Sequence, residues 1–207
     1  MAAFPTYEYE EALKKEGNYT FIAGVDEVGR GSASGPVVAA AVRIPDHFLS
    51  ILEGKVKDSK KLSAKKRDVL YEIITYNCDY GVGLIDNNIV DAINILEATK
   101  LAMRQAINGL KYVDYVLVDG NVELSGIDVP QKQIIKGDNL SISIAAASIV
   151  AKVSRDSIMT YLHYVYPIYN WKNNKGYLTK EHIKMLRLYG PTDYHRLSFN
   201  KVVRDKQ

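Results

Sequence analysis

Short runs of apolar residues recur along the chain, most of them rich in Val, Ile or Ala. Runs of this length that are bounded by Gly, Pro, Asn or Asp are typical of buried β-strands. The first two are separated by a glycine-rich segment, GRGSASGP, so we expect two adjacent strands and their connection. The five predicted strands are residues 19–27, 37–44, 80–85, 112–118 and 130–135.

Other stretches place apolar residues three or four positions apart, which predicts amphipathic helices. Ser63 and Thr179 precede two of these stretches and are suitable N-cap residues. Two initial strands followed by alternating helices and strands predict an α/β fold, with a mixed β-sheet flanked by helices and a helical C-terminal segment. The four predicted helices are residues 62–76, 88–110, 143–164 and 179–188.

Length and composition predict how the chain is organised. With 207 residues, 47% of them hydrophobic, we expect a single domain over residues 1–207. Residues 1–18 would be a short lead-in, and residues from about 165 to 207 a basic helical segment. Cys78 is the only cysteine, which excludes an internal disulfide and a cysteine-rich zinc site. No apolar run is long enough to cross a bilayer, so we expect a cytoplasmic protein.

The net charge of +3 is unevenly distributed along the chain. Residues 55–67 carry seven basic side chains against the single acid Asp58, and residues 165–207 carry nine against three acids. The remainder is therefore acidic on balance. A polyanion-binding enzyme with a carboxylate metal site needs this combination, because lysines meet phosphates while carboxylates hold cations. Ordinary solvated surfaces would explain the charges equally well.

Asp26 and Glu27 stand at the end of the first apolar strand. Buried carboxylates are costly unless they are paired, hydrogen-bonded or bound to a cation. Adjacent strand residues point to opposite faces, so both acids can reach one cation only if the strand end bends or one acts through its backbone or a water. The alternative is that both are exposed at a strand end.

Asp119 ends the strand at residues 112–118, and Asp138 follows the fifth strand. Acids at the ends of neighbouring strands can converge, and oxygen-only ligands suit Mg²⁺ or Mn²⁺. Two such ions can support phosphodiester hydrolysis. Taken separately, Asp119 and Asp138 are better explained as caps or turn residues.

These residues resemble the signature of the type 2 ribonuclease H family, specifically bacterial ribonuclease HII. The resemblance spans roughly residues 7 to 200, and its motifs occur in the family's order. They are GVDEVGRG at residues 24–31, GPVVAAAV at 35–42, DSKKL at 58–62, VDG at 118–120, KGD at 136–138, IAAASIVAKV at 144–153, KGY at 175–177 with Thr179 and His182, and GPT at 190–192 with His195 and Arg196.

The resemblance implies an endonuclease that hydrolyses RNA in RNA/DNA hybrids and cuts DNA 5′ to embedded ribonucleotides, using two Mn²⁺ or Mg²⁺ ions. It also implies a role for individual residues, and the implied metal-binding and catalytic acids are the four singled out above. The implied metal ligands are Asp26, Glu27, Asp119 and Asp138. The implied substrate-binding residues are Gly29, Arg30 and Gly31 at the 2′-hydroxyl and Tyr177 at the neighbouring sugar. The basic cluster around Ser59, Lys60 and Lys61 predicts that these three contact phosphates.

Several alternatives stay open at this point. Asp156 is a competing acid, although a surface charge or structural pairing suits it better. Ser32-Ala33-Ser34 and Leu178 depart from the family pattern, which bears on junction recognition more than on hydrolysis. Ribonuclease HIII is a rival within the type 2 enzymes, but it differs at the position of Arg30 and carries a further N-terminal domain. A non-catalytic nucleic-acid-binding module is the other rival. We expect a monomer, and the sequence names no protein partner.

Overall fold

The computed structural model describes residues 4–200 and residue 202, and its strands form one five-stranded sheet. The strands are β1 (Ile22–Val28), β2 (Val37–Arg43), β3 (Asp79–Ile85), β4 (Tyr115–Asp119) and β5 (Gln131–Ile134). Their order is β3-β2-β1-β4-β5. The β1–β2 and β2–β3 pairs are antiparallel, whereas β1–β4 and β4–β5 are parallel. The predicted mixed sheet is therefore confirmed.

Eight α-helices accompany the sheet within the described residues. They are α1 (Glu8–Gly17), α2 (Leu49–Leu52), α3 (Ala64–Asn77), α4 (Asn87–Ile93), α5 (Ile95–Asn108), α6 (Ile142–Val165), α7 (Trp171–Asn174) and α8 (Lys180–Tyr189). Both predicted caps are confirmed: the Ser63 side chain accepts from the Lys66 amide, and the Thr179 side chain accepts from the His182 amide. The C-terminal segment is helical as expected; its basic residues Lys201, Arg204 and Lys206 lie outside the described residues.

The single helix predicted over residues 88–110 is wrong, because the structure divides it into α4 and α5. Asn94 stands between them with a left-handed φ of 68°. Its side chain accepts from the amides of Leu96 and Glu97, at 2.9 and 3.2 Å, and so caps α5. The asparagine side chain satisfies the new helix start, although its φ and ψ of 68° and 164° lie in a region that residues other than glycine seldom adopt. Apolar spacing alone does not reveal this break.

Helices cover both faces of the sheet. On one face α5 packs against alternate residues of the central strands, such as Val25 and Val118. On the other face α6 packs against β1 and β2, with α3 beside it. The backbone of α6 approaches β1 so closely that a Cβ at Gly24 would lie 2.2 Å from the Ile144 nitrogen. The start of α6 is therefore fixed against the strand that carries Asp26 and Glu27.

Helix α1 lies in the predicted lead-in, where the apolar pattern gave no helix. Its inward residue is Glu10, which is fully buried. The Glu10 carboxylate accepts from the hydroxyls of Ser141 and Ser143 at the start of α6. Burial raises the pKa of Glu10. Within the described part of the chain, no helix is long and apolar enough to span a membrane.

Candidate active site

Asp26 and Asp119 end two neighbouring parallel strands. The paired register of β1 and β4 ends with Val25 opposite Val118, so the next position sets Asp26 beside Asp119. Both side chains then lie on the face that α6 covers, because Val25 and Val118 face α5 and side chains alternate along a strand. Asp26 is only 6% exposed, and its Oδ1 accepts from the Glu27 amide at 2.7 Å.

The charges around Asp26 make its ionised form costly. Burial raises the pKa of Asp26 well above its ordinary value, and the negative charges of Glu27 and Asp119 raise it further. Burial also raises the pKa of Glu27, against the opposing effect of Arg30, whose guanidinium lies 3.3 Å from the Glu27 carboxylate. This clustering of acids is the situation that a bound cation relieves.

Asp138 reaches the same group from the turn between β5 and α6. The Gly137 amide donates to Asp119 Oδ1 at 2.7 Å, which ties this turn to the end of β4. Asp138 is buried, and its Oδ1 accepts from the Asn139 side chain at 2.5 Å. Burial raises the pKa of Asp138, as do the charges of Asp119 and Asp58. The structure therefore brings all four predicted acids to one end of the sheet.

The donor set of this carboxylate cluster, defined as Asp26, Glu27, Asp119 and Asp138, fits hard divalent cations, since every ligand atom would be oxygen. Each of the four acids already has one oxygen oriented by a protein N–H group. Among the described residues no three His, Cys, Asp or Glu side chains are already arranged as a metal site. Metal binding by the cluster stays a prediction.

The glycine loop, which is residues 29–36 directly after β1, is held from inside by Arg155, which is fully buried. Its guanidinium donates to the carbonyl oxygens of Pro36, Ser34 and Lys175 at 2.9 to 3.0 Å and to the Ser32 hydroxyl at 2.6 Å. Gly29 has a left-handed φ of 92°, and a Cβ there would lie 2.1 Å from Arg155 Nε. Only glycine fits this position.

Arg196 is a second fully buried arginine beneath the same loop. It donates to the carbonyl oxygens of Gly29 at 2.7 Å and Arg30 at 3.0 Å, and twice to that of Gly35 at 3.1 and 2.9 Å. Burial, and then the charge of Arg155, lowers the pKa of Arg196 to about 9. Within the described residues neither arginine forms an ion pair, so backbone dipoles stabilise both charges.

Tyr177 lies next to the exposed Gly31. A Cβ on Gly31 would be 3.8 Å from Tyr177 Cε1, and Tyr177 is 40% exposed. The Arg155 guanidinium lies 6.0 Å from the Tyr177 ring centroid. The two recognition elements predicted from separate parts of the chain therefore form one surface, beside the carboxylate cluster at the end of β1.

The predicted phosphate contacts occupy a turn near Asp138. Lys60 and Lys61 are exposed, and Lys61 donates to the Asn139 side chain. Ser59 differs, since it is buried and its hydroxyl lies 2.9 Å from that of Ser148 on α6. The lysines are positioned to meet a ligand, whereas the Ser59 hydroxyl faces inward; substrate contact by any of the three stays a prediction.

Asp156, the competing acid, forms an ion pair with Lys152 at 2.8 Å. Trp171 and Tyr169 are buried, so they pack the C-terminal segment and are not free to stack on a ligand. Sequence reasoning assigned no role to Arg155, and gave Arg196 only as part of a motif. The one sequence signal for a role of Arg196 was its position directly after His195, in the motif that begins with GPT at residues 190–192.

Comparison with known proteins decides the family. The family model for ribonuclease HII matches residues 23–202. A ribonuclease HII of Caldicellulosiruptor saccharolyticus is 53% identical over 197 residues, which covers 94% of each chain. The chain belongs to the ribonuclease HII family. The resemblance drawn from the sequence motifs is thereby confirmed, and the protein is a ribonuclease H endonuclease.

Solved structures of type 2 enzymes share the ribonuclease HII fold seen here. Ribonuclease H2 from Pyrococcus horikoshii matches with a TM-score of 0.76 and 25% identity, covering 88% of this chain and 95% of that one. Bst-RNase HIII in complex with Mn²⁺ matches with a TM-score of 0.69 and 19% identity, covering 88% of this chain and 68% of that one. The second comparison supports the fold alone.

Proposed function

We propose that this ribonuclease HII cuts the RNA strand of RNA/DNA hybrids and incises DNA duplexes 5′ to embedded ribonucleotides. Water attacks the phosphorus, the bond to the 3′ oxygen breaks, and the departing oxygen takes up a proton. The products carry 3′-hydroxyl and 5′-phosphate ends. The observation that carries this proposal is the position of the buried Asp26, with Glu27 and Asp119 around it, at the start of the glycine-rich loop.

The four acids of the carboxylate cluster would hold two divalent ions, Mn²⁺ or Mg²⁺. Bound there, such ions activate water and stabilise charge on the leaving oxygen. The chain's own contribution is to orient the acids before substrate arrives. Asp26 Oδ1 is fixed by the Glu27 amide, and Asp119 Oδ1 by the Gly137 amide.

Recognition of the ribose follows from the orientation of the peptide planes in the glycine loop. Arg196 turns the carbonyl oxygens of Gly29 and Arg30 inward. Because each peptide is planar and trans, the amides of Arg30 and Gly31 at the other ends of those planes point outward. Outward N–H donors suit the 2′-hydroxyl oxygen, the group that separates RNA from DNA. We therefore expect the backbone N–H groups of Arg30 and Gly31 to bind the 2′-hydroxyl of the ribonucleotide.

Tyr177 would pack on the sugar beside the ribonucleotide, because its ring lies next to Gly31 and is partly exposed. Lys60 and Lys61 would contact the phosphate backbone, where lysines position a duplex without reading its sequence. We infer that residues 1–207 act as one catalytic unit, with residues 1–18 as lead-in and the basic C-terminal segment supplying Tyr177.

The test is an incision assay on a DNA duplex that contains one ribonucleotide, with Mn²⁺, with Mg²⁺ and with a chelator. We expect a single cut 5′ to the ribonucleotide and ends that a ligase can rejoin. An all-deoxy duplex of the same sequence should stay intact. A 2′,3′-cyclic phosphate product would contradict the proposal, since it would make the 2′-hydroxyl the nucleophile.

The rival reading, a ribonuclease HIII-like nuclease that prefers long RNA tracts, makes a different prediction in the same assay. Such an enzyme would cleave an RNA/DNA hybrid and leave the single-ribonucleotide duplex uncut. The presence of Arg30 beside Glu27, and the fuller coverage of a ribonuclease HII chain than of Bst-RNase HIII, favour the ribonuclease HII reading.

A further inference from the structure

Two buried histidines lie where the C-terminal segment meets the glycine loop. His182 is fully buried and His195 is 1% exposed, and their Nε2 atoms are 3.1 Å apart. Trp171 donates its indole N–H to His182 Nε2 at 3.3 Å. The proposed reaction does not use either ring, because neither is accessible to a substrate.

The partners of the pair determine its protonation. The indole of Trp171 can only donate, so His182 Nε2 accepts, and His182 Nδ1 then donates to the Tyr177 carbonyl oxygen at 3.0 Å. The Thr192 amide donates to His195 Nδ1 at 2.9 Å. His195 Nε2 therefore carries the proton and donates to His182. Both rings are neutral, and each has one defined tautomer.

Each histidine contacts a different recognition element: His182 contacts the segment of Tyr177, and His195 contacts the glycine loop. His182 binds the carbonyl group of Tyr177, whose ring lies next to Gly31. His195 forms a backbone bridge to Ser34 in the glycine loop and precedes Arg196, which holds the loop's carbonyl groups. The hydrogen bond between the rings thus joins the segment that carries the tyrosine to the segment that holds the loop.

We propose that His182 and His195 are positioning residues that set the spacing between Tyr177 and the Gly31 loop, and thereby the preference for a single ribonucleotide. The inference rests on the proposed function of that surface. A single ribonucleotide in DNA has only one 2′-hydroxyl, so the Gly31 loop and Tyr177 must contact the nucleotides at one fixed position. An RNA strand has a 2′-hydroxyl on every nucleotide and can bind in several positions. Loss of the spacing should therefore affect the single-ribonucleotide substrate more.

The experiment compares His182→Ala with His182→Asn and Trp171→Phe. Asparagine keeps an N–H donor near the position of Nδ1 and can still bind the Tyr177 carbonyl. Trp171→Phe removes a buried donor and perturbs the same core, but it leaves the bond from His182 to Tyr177 in place. kcat and KM are measured on a single-ribonucleotide duplex and on an RNA/DNA hybrid, with melting temperatures alongside.

His182→Ala should lower kcat on the single-ribonucleotide duplex about tenfold more than on the hybrid, since small displacements of positioning groups reduce kcat strongly. KM should change little, because the lysine contacts remain. His182→Asn should recover part of the loss, because it restores the bond to the Tyr177 carbonyl but not the bond to His195, and Trp171→Phe should keep the wild-type ratio between substrates. Equal loss on both substrates, or no recovery with asparagine, would overturn the proposal.

Nitrogen-15 NMR of the histidine rings tests the pair without any cleavage. At neutral pH, His182 should carry its proton on Nδ1 and His195 on Nε2, and His182→Ala should shift the amide signals of Tyr177 and Gly31. A charged ring, the opposite tautomers or unmoved amide signals would overturn the inference. If the wild-type protein incised neither substrate, the proposed function would fail, and these NMR signals alone would still decide whether the pair positions Tyr177.

Discussion

The carboxylate cluster and the glycine loop lie at the same end of β1 and are built in opposite ways. The cluster gathers four acids with Arg30 as the cation in an ion pair with one of them. The loop is supported by two buried cations, Arg155 and Arg196, which bind carbonyl and hydroxyl groups. The first region carries a charge excess that invites a ligand ion, and the second uses charge only to orient backbone.

This difference separates chemistry from recognition. Unpaired buried acids reduce stability until a cation binds, whereas a buried arginine whose three side-chain nitrogens all donate hydrogen bonds fixes a loop in one conformation. Neutralising an acid of the carboxylate cluster should therefore raise the stability of the protein, whereas neutralising Arg155 or Arg196 should lower it. Substitutions in the two regions test whether their charges act in these opposite ways.

The largest expected effect is on catalysis, with Asp26→Asn. The asparagine side chain keeps an acceptor for the Glu27 N–H group. It replaces a carboxyl group whose pKa is raised by burial and by the charges of Glu27 and Asp119. Activity should fall at least about a hundredfold, since even outer partners of metal ligands are worth 10 to 100-fold, while stability should increase. Incision rates and urea unfolding measure both.

Asp128→Asn is the matched control for Asp26→Asn. Asp128 is exposed just before β5, at the opposite end of the sheet from Asp119. We expect neither activity nor stability to change. If Asp26→Asn kept wild-type activity, or lost stability, the carboxylate cluster would not be the charged site described above.

Arg196→Met should have the largest effect on stability. It leaves the carbonyl oxygens of Gly29, Arg30 and Gly35 without their buried donor, which should lower the unfolding free energy by about 3 kcal/mol. The surviving folded protein should discriminate less between ribose and deoxyribose. Lys184→Met, which removes an exposed cation from α8, is the control and should change neither property.

The acids could be predicted from sequence and the arginines could not, for a physical reason. Asp26 and Asp119 end apolar strands, and strand ends of a parallel pair meet at one edge. Arginine is usually exposed, so nothing local marks Arg155 as buried; its partners come from residues 32–36 and 175. Such contacts exist only once distant segments are assembled.

The fold divides in the same way. Alternating apolar strands, and the caps Ser63 and Thr179, are local signals and were predicted. Helix α1 was not predicted, because its buried position is an acid, Glu10, that pairs with serines at the start of α6. The break at Asn94 was also missed, because a left-handed cap inside an apolar repeat leaves the repeat intact.

The histidine pair predicts a pH dependence of stability. Burial, and then the neighbouring His182, lowers the pKa of His195 from 6.5 to about 4. Between these values the unfolded chain holds the extra proton and the folded protein does not, so stability falls as the pH is lowered from 6.5 towards 4. One such group contributes a slope of up to about 1.4 kcal/mol per pH unit.

His195→Gln removes that titration while keeping a donor towards His182. Unfolding free energies of both proteins, measured from pH 7 to 4, should therefore differ in slope as well as in value, with the steeper fall in the wild-type protein. The other groups around the ring, Tyr169, Trp171 and His182, are unchanged in the variant. Parallel curves would mean that His195 titrates normally.

The smallest expected effects compare two serines in the glycine loop, where the chain departs from the family pattern. Ser32 accepts from Arg155 and donates to the Ser34 carbonyl, both at 2.6 Å. The Ser34 hydroxyl is buried and has no hydrogen-bond partner among the described residues. Ser32→Ala should thus destabilise the protein by about 1 to 2 kcal/mol, whereas Ser34→Ala should be neutral or stabilise it by up to about 1 kcal/mol.

Opposite signs at positions two residues apart would show that the loop is held through specific donors and not by its small side chains in general. The measurement is chemical denaturation of both variants, with incision of the single-ribonucleotide duplex alongside. Ser34→Ala should keep wild-type incision because it removes no contact of the loop. If both variants lost similar stability, the orientation of the loop would depend on packing more than on Arg155, and the contrast with the carboxylate cluster would weaken accordingly.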